Sequence, residues 1–377
     1  MAKLNQINVA LIGAGWVGGI RAAACRKNPL IDQLSIAEID ERRVEELKKE
    51  LKPDRITYDW KELADDPDID AIVISMTPET VRFPIVMECL EKGKHVFVEK
   101  PIAPTIAETD QALELASKNN LKMTVGYSRR FDPRYAYINK ALKGGLIGDP
   151  VTCLISRNST RELGEKITGR SKMSPTSIAG VHDLDFVLWA MQPRKPIRVY
   201  SQTSGKLFSR KSETPDHQWV MITMDDGTTI TIGIGWILPI GYPNYVQAFI
   251  EIVGTDGTLT IDDSHKDIQL NTTKDGIRYP LSSMPGEQID HVFAGSMHEE
   301  INHFINSIVF DSETNGSCRV CSGTTKYMAH NIKKPLRAPK IKPRTLSMSP
   351  NPVQVISFPI IFNAIVPTTT VIMNKVP

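Results

Sequence analysis

The sequence predicts an α/β chain in two parts: a doubly wound parallel sheet, then a second α/β unit on a large, mostly antiparallel open sheet. Three observations carry this. Residues 7–125 alternate short apolar runs with helix-period stretches, the pattern of parallel strands covered by helices on both faces. Beyond about 126, strand-like runs follow one another closely, with the hairpin-turn signal Asp226-Gly227 between two of them. At 377 residues, 41% of them hydrophobic, the chain is long enough for two domains, each with its own core.

The first strands expected are INVALI (7–12), LSIAEI (34–39), AIVIS (71–75), HVFV (95–98) and KMTV (122–125). Amphipathic helices are expected over 40–52 and 79–92. Thr105 precedes Glu108 by three, the spacing of a capping box, so another helix is expected over 106–118. Helices over 132–144 and 182–191 should then lie on one face of a sheet. Its strands are VTCLISR (151–157), IRVYSQ, WVMITM, TTITIGIGW, VQAFIEIVG and TLTID. The divisions that follow are 1–125, 126–318 and a tail, 319–377.

Between the first strand and its helix lies GAGWVG (13–18). A G-x-G-x-x-G match alone is weak, but inside a β-α-β unit it marks a dinucleotide site, so the first part reads as a Rossmann domain. Gly13 permits the tight turn, Gly15 lets a pyrophosphate approach the backbone, and Gly18 lets helix and strand pack closely. Trp16 and Val17 open the helix, whose free N–H groups and positive potential suit phosphates. Glu38, about twenty residues on at the end of the second strand, is the acid for the ribose hydroxyls. It favours NAD by repelling a 2′-phosphate, while Arg42 and Arg43 leave NADP open.

HVFVEKP (95–101) ends a strand in Glu99-Lys100-Pro101. Proline restricts the residue before it to extended geometry. The amine of Lys100 is thus held stiffly at the carboxyl end of the sheet, where a substrate would meet the nicotinamide. GYSRRFDP (126–133) and GVHDLDFVLW (180–189) add Arg130, His182, Asp183 and Asp185. Taken singly, a histidine at a helix start caps or packs more often than it reacts.

Together with GKHVFVEKP (93–101) and WILPIGYP…IEIVGTDGTLTID (236–262), these segments resemble the glucose–fructose oxidoreductase / inositol dehydrogenase (Gfo/Idh/MocA) family of NAD(P)-dependent sugar and polyol oxidoreductases. The resemblance covers about residues 5–310. It implies that Lys100 and His182 are catalytic and that Pro101 follows a cis peptide bond. It also adds Thr77, Pro78, Glu99 and Lys100 to the cofactor site, and Arg130, Arg157 and Asp185 to a substrate site. Lys100 would remove a hydroxyl proton as hydride leaves carbon. The substrate class implied is a sugar, cyclitol or sugar acid, and the assembly a homo-oligomer formed through the second sheet. A glycoside-cleaving enzyme using transient oxidation and a non-catalytic NAD-binding protein are the alternatives.

The chain departs from that pattern at two positions. Similar enzymes commonly carry Asp four residues before the histidine, where this chain has Ile178, and many carry histidine where it has Arg82. The segment 157–172, expected as a loop facing the site, carries Arg157, Arg161, Lys166, Arg170 and Lys172 against Glu162 and Glu165. That surplus suits an anionic group on the substrate, or a solvated loop equally well.

Other features exclude. Residues 1–313 hold all 43 acids and 36 of the 45 bases, a net of −7, which gives no encouragement to nucleic-acid binding. Five scattered cysteines and an N-terminus without a signal-peptide pattern fit a reduced, cytoplasmic chain. Cys318-x-x-Cys321 has no second ligand pair, and HEEINH (298–303) spaces its histidines five apart, so no metal is expected. Residues 353–372 are apolar but broken by Pro359, Asn363 and Pro367, a poor membrane span.

After Glu313 the remaining 64 residues contain nine Lys/Arg and no acid, and eight of the last 47 are proline. A long helix is excluded over much of that span, and poor order is expected. An acidic, helix-patterned continuation in another frame of the coding DNA, after codon 313, would mark this tail as read out of frame.

Overall fold

The computed structural model describes residues 6–169, 173–208, 214–263, 269–274, 276–279, 288–289, 292–293 and 295–315. The tail 319–377, Cys318, and Arg170 and Lys172 of the basic segment lie outside them.

Six parallel strands form the first sheet: β1 (Ile7–Ile12), β2 (Ile31–Ala37), β3 (Arg55–Thr57), β4 (Ala71–Ile74), β5 (His95–Val98) and β6 (Met123–Val125), in the order β3-β2-β1-β4-β5-β6. Strands apolar on both faces need cover on both. On one face α1 (Trp16–Lys27) and α2 (Glu41–Glu50) bury Ala22, Cys25 and Leu47 against Val9, Leu11 and Leu34. On the other, α3 (Lys61–Ala64), α4 (Arg82–Glu91) and α5 (Ile106–Lys118) bury Leu63, Val86 and Ala112 against Ala10, Ile72 and Ile74. The capping box that starts α5 forms as expected: Thr105 Oγ1 accepts from Glu108 N, and Glu108 Oε2 from Thr105 N.

After α6 (Pro133–Lys143) comes β7 (Pro150–Thr160), then α7 (Arg161–Thr168) and α8 (Val181–Ala190). A π-helical turn, Thr176–Gly180, leads into α8. The second sheet adds β8 (Pro196–Ser204), β9 (His217–Met224), β10 (Thr229–Leu238), β11 (Val246–Gly254) and β12 (Thr258–Asp262), ordered β12-β11-β7-β10-β9-β8. Only the β7–β10 pairing is parallel; the other four are antiparallel. Helices α6 and α8 cover one face, joined by the edge-to-face pair Tyr135–Phe186 at 4.8 Å. On the opposite face Tyr200, Trp219 and Met221 are exposed. The last helix among the described residues, α9 (Met297–Val309), returns to the first sheet and buries Ile301, Phe304 and Ile305 beside α1. No helix among the described residues is long and apolar enough to cross a membrane.

Three expectations need correction. The second strand lies over Ile31–Ala37, not 34–39: its polar start hid it, and the chain leaves the sheet at Glu38, with Ile39 82% exposed. The segment 157–172 is not one loop, because β7 runs to Thr160 and α7 follows at once. The short β3 and α3, and the whole of α9, were not anticipated from the apolar pattern.

Candidate active site

The strand order reverses between β1 and β4, the switch point where open α/β sheets place their ligands. There the glycines behave as three different devices. Gly13 has φ +82°, and a Cβ on it would lie 2.8 Å from Met76 Cα. A Cβ on Gly18 would meet Gly13 O at 2.0 Å, so helix and strand touch there. A Cβ on Gly15 would meet nothing within 4 Å, leaving open space in front of the α1 N-terminus. That first turn carries no acid and no side-chain cap, so its N–H groups are free for an anion. Trp16 stands exposed at its rim and Val17 is half-buried.

Glu38 closes the other side. Its Oε2 accepts from Ala14 N (2.7 Å), and its Oε1 from Ile39 N (2.8 Å) and Asp40 N (3.0 Å). A carboxylate accepts about four hydrogen bonds, so capacity for a ribose hydroxyl is left. Arg43 Nε donates to Ala14 O (2.9 Å) and its Nη1 to Glu46 (2.8 Å), while Arg42 is exposed. The cradle fits NAD on these grounds.

Two strand ends form the floor of the cleft. After β4, Thr77 and Pro78 are exposed and joined by a cis peptide bond. After β5, Glu99 is buried and the Lys100-Pro101 bond is cis. Arg82 ties the two ends together, donating to Met76 O (2.8 Å), Lys100 O (2.9 Å) and Pro101 O (3.3 Å).

Lys100 Nζ donates to Ile178 O at 2.9 Å. Position 178 thus meets the amine with its backbone, while its side chain packs with Trp236 and Ile167. Burial, helped by the positive charges of Arg82 and Arg157 and opposed by Glu99 and Glu79, brings the Lys100 amine down to about 8. His182, on the first turn of α8, is held well below its ordinary value by burial, then by Lys100, Arg157 and Arg129. Its Nδ1 is buried with no hydrogen-bond partner among the described residues. Arg157 Nη1 donates to Ala179 O (2.8 Å) and Asp183 Oδ2 (3.2 Å), and Arg129 pairs with the same carboxylate. The cleft therefore brings together an amine poised to lose its proton, a neutral imidazole and a guanidinium. That set can exchange a proton with a hydroxyl and orient its neighbours.

Two further expected residues pair with each other. Arg130 and Asp185 are buried in a two-pronged pair, Nε to Oδ2 at 2.8 Å and Nη2 to Oδ1 at 2.6 Å, and Arg130 Nη1 donates to Asn315 O (2.7 Å). The pair ties the turn Ser128–Phe131, before α6, to α8. Conversely, Arg21 was not anticipated. Fully buried, it pairs with Glu99 and with Glu300 (2.7 Å) under the ring of Phe97 at 4.3 Å. The one signal for it is a charged residue inside the apolar run of α1.

A model of an oxidoreductase family with an NAD-binding Rossmann fold matches residues 7–127, and the model of the GFO/IDH/MocA C-terminal domain matches residues 135–260. The chain is 27% identical over 332 residues to the uncharacterized oxidoreductase YrbE of Bacillus subtilis, covering 88% of this chain and 93% of that protein. It is 28% identical over 266 residues to inositol 2-dehydrogenase of Acidothermus cellulolyticus, covering 69% and 74%. The scyllo-inositol dehydrogenase from Lactobacillus casei, solved with bound NAD(H) and scyllo-inositol, superposes with a TM-score of 0.74 at 22% identity, over 86% of this chain and 95% of that one. At that identity the likeness is one of fold.

Proposed function

We propose, from the premise that this chain belongs to the GFO/IDH/MocA family of oxidoreductases, that it oxidises a secondary hydroxyl of an inositol-type cyclitol with NAD. The observation that carries the chemistry is the Lys100 amine, lowered to about 8 and bonded to Ile178 O beside His182. The cyclitol is inferred from the inositol dehydrogenase among the chain's relatives. Those relatives favour neither the glycoside-cleaving nor the non-catalytic alternative.

NAD, when bound, supplies the acceptor for the hydride. Gly15, Trp16 and Val17 would hold its pyrophosphate on the α1 N-terminus and Glu38 its adenosine ribose, with Thr77 and Pro78 bordering the far end. Neutral Lys100 takes the hydroxyl proton at Nζ. The electrons of the broken O–H bond close the carbonyl as the C–H bond on the same carbon breaks. His182, uncharged, holds that hydroxyl in place. Arg157 orients a neighbouring oxygen of the ring, and its charge also allows an anionic substituent.

NADH formation measured over a panel of inositols, aldoses and uronic acids tests this reading. An inositol should be the preferred substrate. Turnover confined to uronic acids, or to aldoses, would overturn the cyclitol assignment.

A further inference from the structure

Four elements meet beneath the main chain of Lys100, in a cluster that neither the cradle nor the proposed reaction uses. Arg21 of α1 is fully buried between two carboxylates. Its Nε donates to Glu99 Oε1 (3.0 Å) and its Nη1 to Glu300 Oε2 (2.7 Å), while Nη2 also bonds Glu99 Oε1. The other Glu99 oxygen, Oε2, accepts from Lys100 N at 3.2 Å. Phe97, under the guanidinium, meets Phe304 of α9 edge-on at 5.7 Å. The chain just after β6 closes over the cluster without a side chain. A Cβ on Gly126 would lie 2.8 Å from Arg21 Nη2 and 3.1 Å from Glu99 Oε1. Stability does not account for this arrangement. Apolar residues of the same volume often hold buried elements together as well or better. Glu300 Oε1 is moreover buried with no hydrogen-bond partner among the described residues, which costs free energy.

We propose that Arg21 and Glu300 are positioning residues for Lys100, acting through Glu99. The guanidinium fixes the Glu99 carboxylate, and that carboxylate holds Lys100 N. Arg82 holds Lys100 O from the other side at 2.9 Å. With its main chain gripped at both ends, the lysine presents Nζ to Ile178 O and to a substrate hydroxyl along one direction. Nε and Nη2 form one edge of the guanidinium and Nη1 points from another, so Glu300 anchors Arg21 without competing for Glu99. Helix α9, two hundred positions away in sequence from Lys100, thereby sets the aim of the amine.

The inference rests on the reading of Lys100 as the base, but one arm of its test reads the main chain directly. Glu300→Leu removes the anchor and leaves the pair of Arg21 with Glu99. Hydrogen exchange of the Lys100 amide, resolved by mass spectrometry, should then accelerate about tenfold or more, while amides of β10 in the second sheet keep their rates. On the preferred inositol, kcat should fall about tenfold to a hundredfold, the scale of a misplacement near 1 Å, with KM and NAD affinity held within about twofold. Glu300→Gln, which still accepts from Nη1, should restore both the amide and the turnover. In a Lys100→Ala chain, adding Glu300→Leu should lower the residual turnover by no more than about twofold, because its effect passes through the lysine. Should the leucine variant not fold, Glu300→Ser, too short to reach Arg21 but leaving room for water, makes the same cut. The proposal is overturned by an unmoved Lys100 amide, by turnover that ignores Glu300→Leu, by an impaired Glu300→Gln, or by losses that add in the double variant. Near-normal turnover in Lys100→Ala would instead remove the base assignment, and the amide response alone then decides the coupling.

Discussion

A neutral lysine remains a hydrogen-bond donor, and that is how Lys100 can keep its bond to Ile178 O and still offer a lone pair to a hydroxyl. Because the amine must be neutral to act, kcat/KM should climb with pH and level off above about 8. Lys100→Ala should lower turnover by about two to four orders of magnitude while NAD binding is kept. Lys100→Arg, never neutral, should fare no better. Near-normal turnover in either would remove Lys100 from the mechanism. Glu38 makes a second prediction: titrated side by side, NAD should bind more tightly than NADP, since Arg43 is engaged by Ala14 O and Glu46. A preference for NADP would shift the ribose site to Arg42. Both residues were legible in the sequence because their neighbours constrain them, one by a proline and one by a glycine loop. The pairing of Arg130 with Asp185 was not legible, for a physical reason. They are 55 positions apart, and no local pattern distinguishes a buried ion pair from a pair awaiting substrate.

Strands and helices with full apolar periods were legible at once, whereas elements defined by distant partners were not. Helix α9 is the clearest case: its inward face is apolar, but Glu300 sits fully buried in it, which makes sense only once Arg21 of α1 is opposite. Two carboxylates share that one guanidinium. Glu99 is lowered and Glu300 is raised to about 7, by burial first and also by the like charge of Glu99, against the pull of Arg21. A carboxyl raised in the folded state holds a proton that the unfolded chain releases. Its contribution is present below the ordinary value of 4.5 and is lost as pH rises toward 7. Thermal melts across that window should show the wild type losing stability relative to Glu300→Gln, which carries the uncharged shape at every pH. Parallel melting curves would refute the assignment. Arg21→Leu should instead cost about 3–5 kcal/mol in chemical denaturation, because it strands buried charge.

For the molecule as a whole, the open face of the second sheet is the unfinished surface. Tyr200 and Met221 are paired across β8 and β9, and Trp219 lies two residues along on the same face, over Gly233, where a Cβ would come within 2.5 Å of its ring. These three are 57%, 48% and 43% exposed, although Val220, Ile222 and Met224 on the opposite face of β9 are buried. Soluble chains seldom leave a contiguous apolar patch open to water. A flat sheet face is self-complementary about a two-fold axis, so a second copy of this chain is the occupant that needs no further component. Light scattering coupled to size exclusion should therefore find a dimer or a multiple of it at micromolar concentration. The pair of changes Trp219→Arg and Met221→Lys should drive the chain to monomer, with NAD binding kept because the cradle lies on the other sheet. A wild-type monomer at these concentrations would mean that the face is covered in some other way, and the assembly predicted from the sequence would be wrong.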